Sequence, residues 1–152
     1  MGRVVNPIGV ELSLIIVLKF FHYLSLFLAG GLGVANGLLV KTHNKHNVIP
    51  AIPVQQTMVL LARLGLVALI ILWITGYFLT YQIYGGFNLG WAFHLKLFGA
   101  SALLIVITFL NYHLYDCSKK GVSPNTQIMK VIPVVARASL LIVLIGIAIL
   151  TS

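Results

Sequence analysis

The chain has 152 residues, 60% of them hydrophobic and 8% charged, with a mean hydropathy of +1.06. A soluble domain carries about 25% charged residues, so this composition excludes a water-covered fold and marks an integral membrane protein with lipid as its first partner. The net charge of +8 gathers mostly in two polar connections, which reads as membrane topology and not as nucleic-acid binding.

Glu11 and Asp116 are the only acids and Cys117 is the only cysteine. Carboxylate-pair catalysis, an intrachain disulfide, a CxxC redox centre and a thiolate zinc cage are therefore excluded.

The first apolar run, 12–40, exceeds the ~20 residues that span ~30 Å of hydrocarbon. Its length and its internal Lys19 and His22 predict an uncleaved helix, not a signal peptide. At helical spacing Lys19, Leu26, Gly30, Gly33 and Gly37 fall within about 80° of His22 on one side. Ser25, Ala29 and Asn36 fall within about 60° on the other. A stripe of small residues admits a neighbouring backbone or a flat cofactor, and an ionisable group deep in lipid is a functional candidate by default. Gly30 and Gly33 are thus candidate cofactor contacts beside His22, with ordinary helix contact as the competing reading.

The connection 41–56 is basic and is broken by Pro50 and Pro53; its His43 and His46 are too few ligands for a metal. The second run, 57–84, carries Arg63 near one end, read with Arg137 of the fourth run as a snorkelling topology determinant, with an anion or propionate partner as the alternative. The link GGFNLG at 85–90 is uncharged.

The third run, 89–115, opens with Trp91 as an interfacial anchor. His94, Phe98, Ser101, Ile105, Thr108 and Tyr112 share one line to within about 40°, whereas Lys96 lies about 200° from His94 and reads as snorkelling. His113 with Asp116 predicts an ion pair at the surface. A second basic connection covers 116–130, and the fourth run is 131–150.

The predicted fold is one all-α transmembrane domain over 1–152, four helices in an up-down-up-down bundle. The runs lack the alternation of a β-barrel. The positive-inside rule places both basic connections in the cytoplasm and both termini outside, in a bacterial plasma (inner) membrane or an equivalent organelle membrane.

Two histidines on different helices, each on a small or polar stripe, are what a transmembrane haem b site requires, so His22 and His94 are candidate iron ligands. Their depths differ, which keeps single-histidine ligation open.

The stretches LKFFH (18–22), WAFHLKL (91–97), NYHLYDC (111–117) and the Ile132-Pro133 opening of the last run resemble the HemJ-type protoporphyrinogen IX oxidases. These small membrane proteins are distantly similar to copper-resistance D membrane domains. The resemblance implies a haem b oxidoreductase that takes hydrogens from a porphyrin precursor and passes electrons to a membrane acceptor, a quinone being the economical one. Lys19, His22, Trp91, His94 and Lys96 match the motifs, with Lys19 and Lys96 as the implied catalytic residues. At 33–41 this chain reads GVANGLLVK where the family carries an arginine after a proline. The alternatives are a haem-binding subunit or electron carrier of a larger complex, and a non-redox transporter or assembly protein. A homodimer would use the glycine stripe equally well.

Overall fold

The computed structural model describes residues 7–151 except 47, 49, 88, 121, 123 and 124; the side chains of 7–10, 44, 118, 126, 150 and 151 also lie outside the description. The described residues form α1 (Pro7–Lys45), α2 (Ile52–Tyr84), α3 (Trp91–Lys120) and α4 (Thr126–Thr151), without strands. Each contains a stretch long and apolar enough to cross a membrane. The helices outrun their apolar segments because polar residues at the ends continue the backbone hydrogen bonding while their side chains reach water.

Local chemistry sets the boundaries. Pro53 sits at the second helical position of α2, where its missing N–H has no intrahelical partner to lose. Gly85 ends α2 in the left-handed conformation, φ 69°, with its N–H donating to the Tyr81 carbonyl. A side chain is disfavoured at that φ.

Cross-helix contacts fix an antiparallel order. His22 meets Thr75, and the Asn36 amide donates to the Met58 carbonyl, joining α1 to α2. Trp73 Nε1 donates to Ala100 O and Asn111 to Ala62 O, joining α2 to α3. Between α3 and α4 the contact is backbone against backbone. A Cβ on Gly99 would lie 2.9 Å from Ser139 O, and one on Gly146 would lie 3.0 Å from Lys96 N and 3.1 Å from Ala92 O. These two glycines permit close helix approach.

The molecule is thus two tight hairpins, α1–α2 and α3–α4, joined chiefly along α2 and α3. Among the described residues α1 and α4 are not packed together along their length. A space opens between the hairpins there, and it positions the site.

Candidate functional site

The space is a cavity of about 480 Å³ walled by all four helices. That volume falls within the ~300–1,000 Å³ of small-molecule and cofactor sites. Its α1 wall is the stripe read from the sequence: His22, Leu26, Ala29, Gly30, Gly33, Asn36 and Gly37 all line it. Gly30, Gly33 and Gly65 of α2 have nothing within 4 Å of an added Cβ. They hold no neighbouring helix of this chain close, unlike Gly99 and Gly146, and a side chain there would project into empty space.

His22 is anchored through one ring nitrogen. Its Nδ1 lies 3.0 Å from Thr75 Oγ1, and that hydroxyl donates to the Ile71 carbonyl at 2.7 Å, with Leu72 O at 3.2 Å. A hydroxyl has one proton. Spent on the backbone, it leaves the oxygen to accept, so His22 donates Nδ1–H and keeps the Nε2 lone pair. No described residue partners Nε2. A ring nitrogen anchored to oxygen with its opposite nitrogen bare is the arrangement of a metal-binding histidine. Gly76 makes room for the ring, since a Cβ there would lie 3.2 Å from His22 Cε1.

Lys96 shares this end of the cavity with His22, and both also line a smaller pocket toward the 85–90 link with Lys19, Tyr23 and Thr80. Lys96 therefore faces the interior beside His22. His94 does not. Its side chain is exposed and lines neither cavity.

Most of the line drawn through His94 faces outward: Phe98, Ile105 and Tyr112 are each 66–68% exposed, and only Ser101 is half-buried. Ser101 satisfies its hydroxyl on the Leu97 carbonyl of its own helix, so a hydroxyl on that line does not require a protein interior. The structure brings His22 and Lys96 together, with Gly30 and Gly33 in the larger cavity and with Lys19 in the smaller pocket, and leaves His94 outside.

Depth is settled by the length of α1, which begins at Pro7 and overhangs the α3 start. His22, far along α1, and Lys96, five residues into α3, consequently line one cavity end.

The other end holds residues that the sequence pattern did not join to one site. Arg137, Lys41 and Asn36 line it. Arg137 Nη2 lies 3.2 Å from where a Gly37 Cβ would stand, so the guanidinium spans from α4 to α1 over a bare glycine. Because α4 starts at Thr126 and not near 131, Arg137 is eleven residues in, about 16 Å. Arg63 differs in place and not in exposure: both arginines are exposed, but Arg63 lines neither cavity. The available signal was the position of Gly37 and Asn36 on the His22 stripe, which extends the cavity to this level.

Outside the cavity, His113 accepts from the Asn125 backbone N–H at 3.2 Å, and Asp116 pairs with Lys120 at 2.7 Å rather than with His113. No three His, Cys, Asp or Glu side chains among the described residues could together hold a metal ion. Any iron at His22 must bring most of its own ligands, as a tetrapyrrole does. No protein-family model, curated protein or solved structure matches the chain.

Proposed function

We propose that the chain is a haem b-binding membrane oxidoreductase in which His22 Nε2 is the protein ligand to iron. The observation that carries this reading is the bare Nε2 of a Thr75-anchored imidazole on the wall of a cofactor-sized intramembrane cavity. The open space beside Gly30 and Gly33 suits a flat group, and Lys96 with Lys19 supplies positive charge for its acid substituents. Bound there, haem b would supply one-electron redox chemistry.

His94 takes no part in this reading. Lys96 is the second polar residue of the site, with a proton-carrying head group near the cofactor. The cavity continues along α1 from His22 to Lys41, about 28 Å of helix. Following the family resemblance, the substrate class is a reduced porphyrin precursor and the acceptor a membrane quinone.

The test is an absorption spectrum of detergent-purified protein, oxidised and dithionite-reduced, with His22→Ala and His94→Ala alongside. A Soret band and reduced α and β bands are expected in wild type and His94→Ala and not in His22→Ala. A featureless wild-type spectrum from haem-replete cells would refute haem binding. Oxidation of protoporphyrinogen IX by the loaded protein separates the enzyme from a carrier, which would show the same spectrum without turnover.

A further inference from the structure

The end of the cavity opposite His22 has a charge problem of its own. Arg137 and Lys41 line it with side chains that stay exposed at its opening, and the one ion pair among the described residues, Lys120 with Asp116, lies elsewhere. Neither acid of the chain, Glu11 or Asp116, lines the cavity. An arginine within a membrane span costs about 2.5–3.5 kcal/mol at the centre of an isolated helix. Such groups face a bundle interior or water-filled cavity and find a partner there.

A second observation lies beside the first. Asn36 spends its amide N–H on Met58 O, and its Oδ1 is buried without any hydrogen-bond partner. A buried acceptor left unpaired costs about 1–3 kcal/mol, so this oxygen calls for a donor brought by a ligand or a water. Pro133, one helical turn before Arg137, also lines this end and cannot donate to the Met129 carbonyl. The end thus offers two cations, an orphan acceptor and a freed helix carbonyl, bordered by the apolar side chains of Leu61, Leu140 and Met129.

A cofactor on His22 does not answer that demand. Gly37, at the level of Arg137, lies fifteen residues beyond His22, about 22 Å along the helix. That exceeds the distance from the metal of a tetrapyrrole to its acid side arms.

We propose that Arg137, Lys41 and Asn36 form a separate binding site for the acid group of an apolar-tailed anion, a carboxylate or phosphate carrying a long hydrocarbon chain. The acid group pairs with Arg137 and Lys41, and a protonated oxygen or N–H of the head group, or a water it holds, donates to Asn36 Oδ1. The tail lies in the apolar middle of the cavity against Gly30, Gly33 and Gly65. Entry is lateral, from lipid, through the unpacked α1–α4 side. This site rests on the cavity and not on the haem reading; because the tail and a flat group would share the space beside Gly30 and Gly33, His22→Ala, which removes the haem, separates the two.

The chain carries its own reporter. It has two tryptophans; Trp73 lines the cavity, whereas Trp91 is exposed and lines neither pocket. A Trp91→Phe background leaves Trp73 alone. Protein in phosphatidylcholine vesicles is titrated with three tail-brominated quenchers: a long-chain fatty acid, phosphatidylglycerol and phosphatidylcholine.

Half-maximal quenching by an anionic probe is expected at a mole fraction roughly tenfold below that for phosphatidylcholine, the scale of one charge-assisted contact. The preference should vanish in Arg137→Gln, return in part in Arg137→Lys, and survive His22→Ala. Lys41→Gln, a milder change nearer the helix end, should weaken it less. Preference for the fatty acid alone assigns a free acid, for phosphatidylglycerol alone a lipid head group, and for both the acid group itself. Equal quenching by all three probes, or a preference unchanged in both Arg137→Gln and Lys41→Gln, overturns the proposal.

Discussion

Replacing Thr75 with valine keeps a β-branched side chain on α2 and removes one oxygen. That oxygen lies 3.0 Å from His22 Nδ1, in a residue only 6% exposed. The Ile71 and Leu72 carbonyls that Thr75 bonds remain in their helical ladder, so the loss falls on the histidine. An N–H left without a partner in a partly buried site costs about 1–3 kcal/mol. The ring can escape by moving its proton to Nε2, which removes the lone pair that would bind iron. Haem affinity should drop 10–100-fold, the usual effect of losing the hydrogen bond behind a metal-binding histidine, or about 1.4–2.8 kcal/mol. The assay titrates haem-free protein with haemin and follows the Soret band, with a thermal melt on the same preparation to show that the fold survives. Thr75→Ser restores the oxygen and should recover most of the affinity. Binding by Thr75→Val within twofold of wild type, or Thr75→Ser as weak as Thr75→Val, would refute the coupling of Thr75 to Nε2.

Gly33→Leu should leave the melting temperature within a few degrees of wild type, because nothing in the chain stands within 4 Å of the new Cβ, while ligand binding in the cavity falls at least tenfold; a melt and a Soret titration read both. Gly99→Ala should do the opposite. Its Cβ would sit 2.9 Å from Ser139 O and 3.0 Å from the Ile142 and Val143 methyls, an overpacking worth about 1–3 kcal/mol, measured by denaturant or thermal unfolding in detergent. Lys120, beyond the apolar part of α3, is held above the ordinary lysine value by its hydrogen bond to Asp116 and by that carboxylate's charge. A raised folded value stabilises fully below the ordinary one and is lost as pH rises through the folded one. Melting curves of Asp116→Asn and wild type should therefore keep a constant, small offset from about pH 6 to 9, and converge only at strongly alkaline pH.

The four spans were legible because hydrophobic runs of this length have one solution in lipid. So was the working face of α1, where His22, Gly30, Gly33, Asn36 and Gly37 share a stripe and line the cavity. The polarity argument failed on α3. Ser101 bonds its own helix and His94 stands near the helix start, so neither required an interior, and the inward face was the plainer one with Phe93, Lys96, Ala100 and Leu103. Lys96 and His94 are two residues apart, and spacing shows that they diverge without showing which one turns inward. That depends on Gly99 and Gly146, which set how α3 lies against α4. Arg137 and Arg63 look alike in sequence for the same reason: each needs the partner helix to be assigned to lipid or cavity.

The two hairpins are unequal. The apolar spans of α1 and α2 have 33 residues each, those of α3 and α4 only 27 and 23, lengths of about 50, 50, 40 and 34 Å against a hydrocarbon layer of ~30 Å. Each pair must lean to hide its excess, and the longer pair must lean further. Since they share a seam chiefly along α2 and α3, any difference in lean works on them like the covers of a book on its spine. The gap between α1 and α4, and with it the width offered to a guest, becomes a function of how thick the surrounding membrane is.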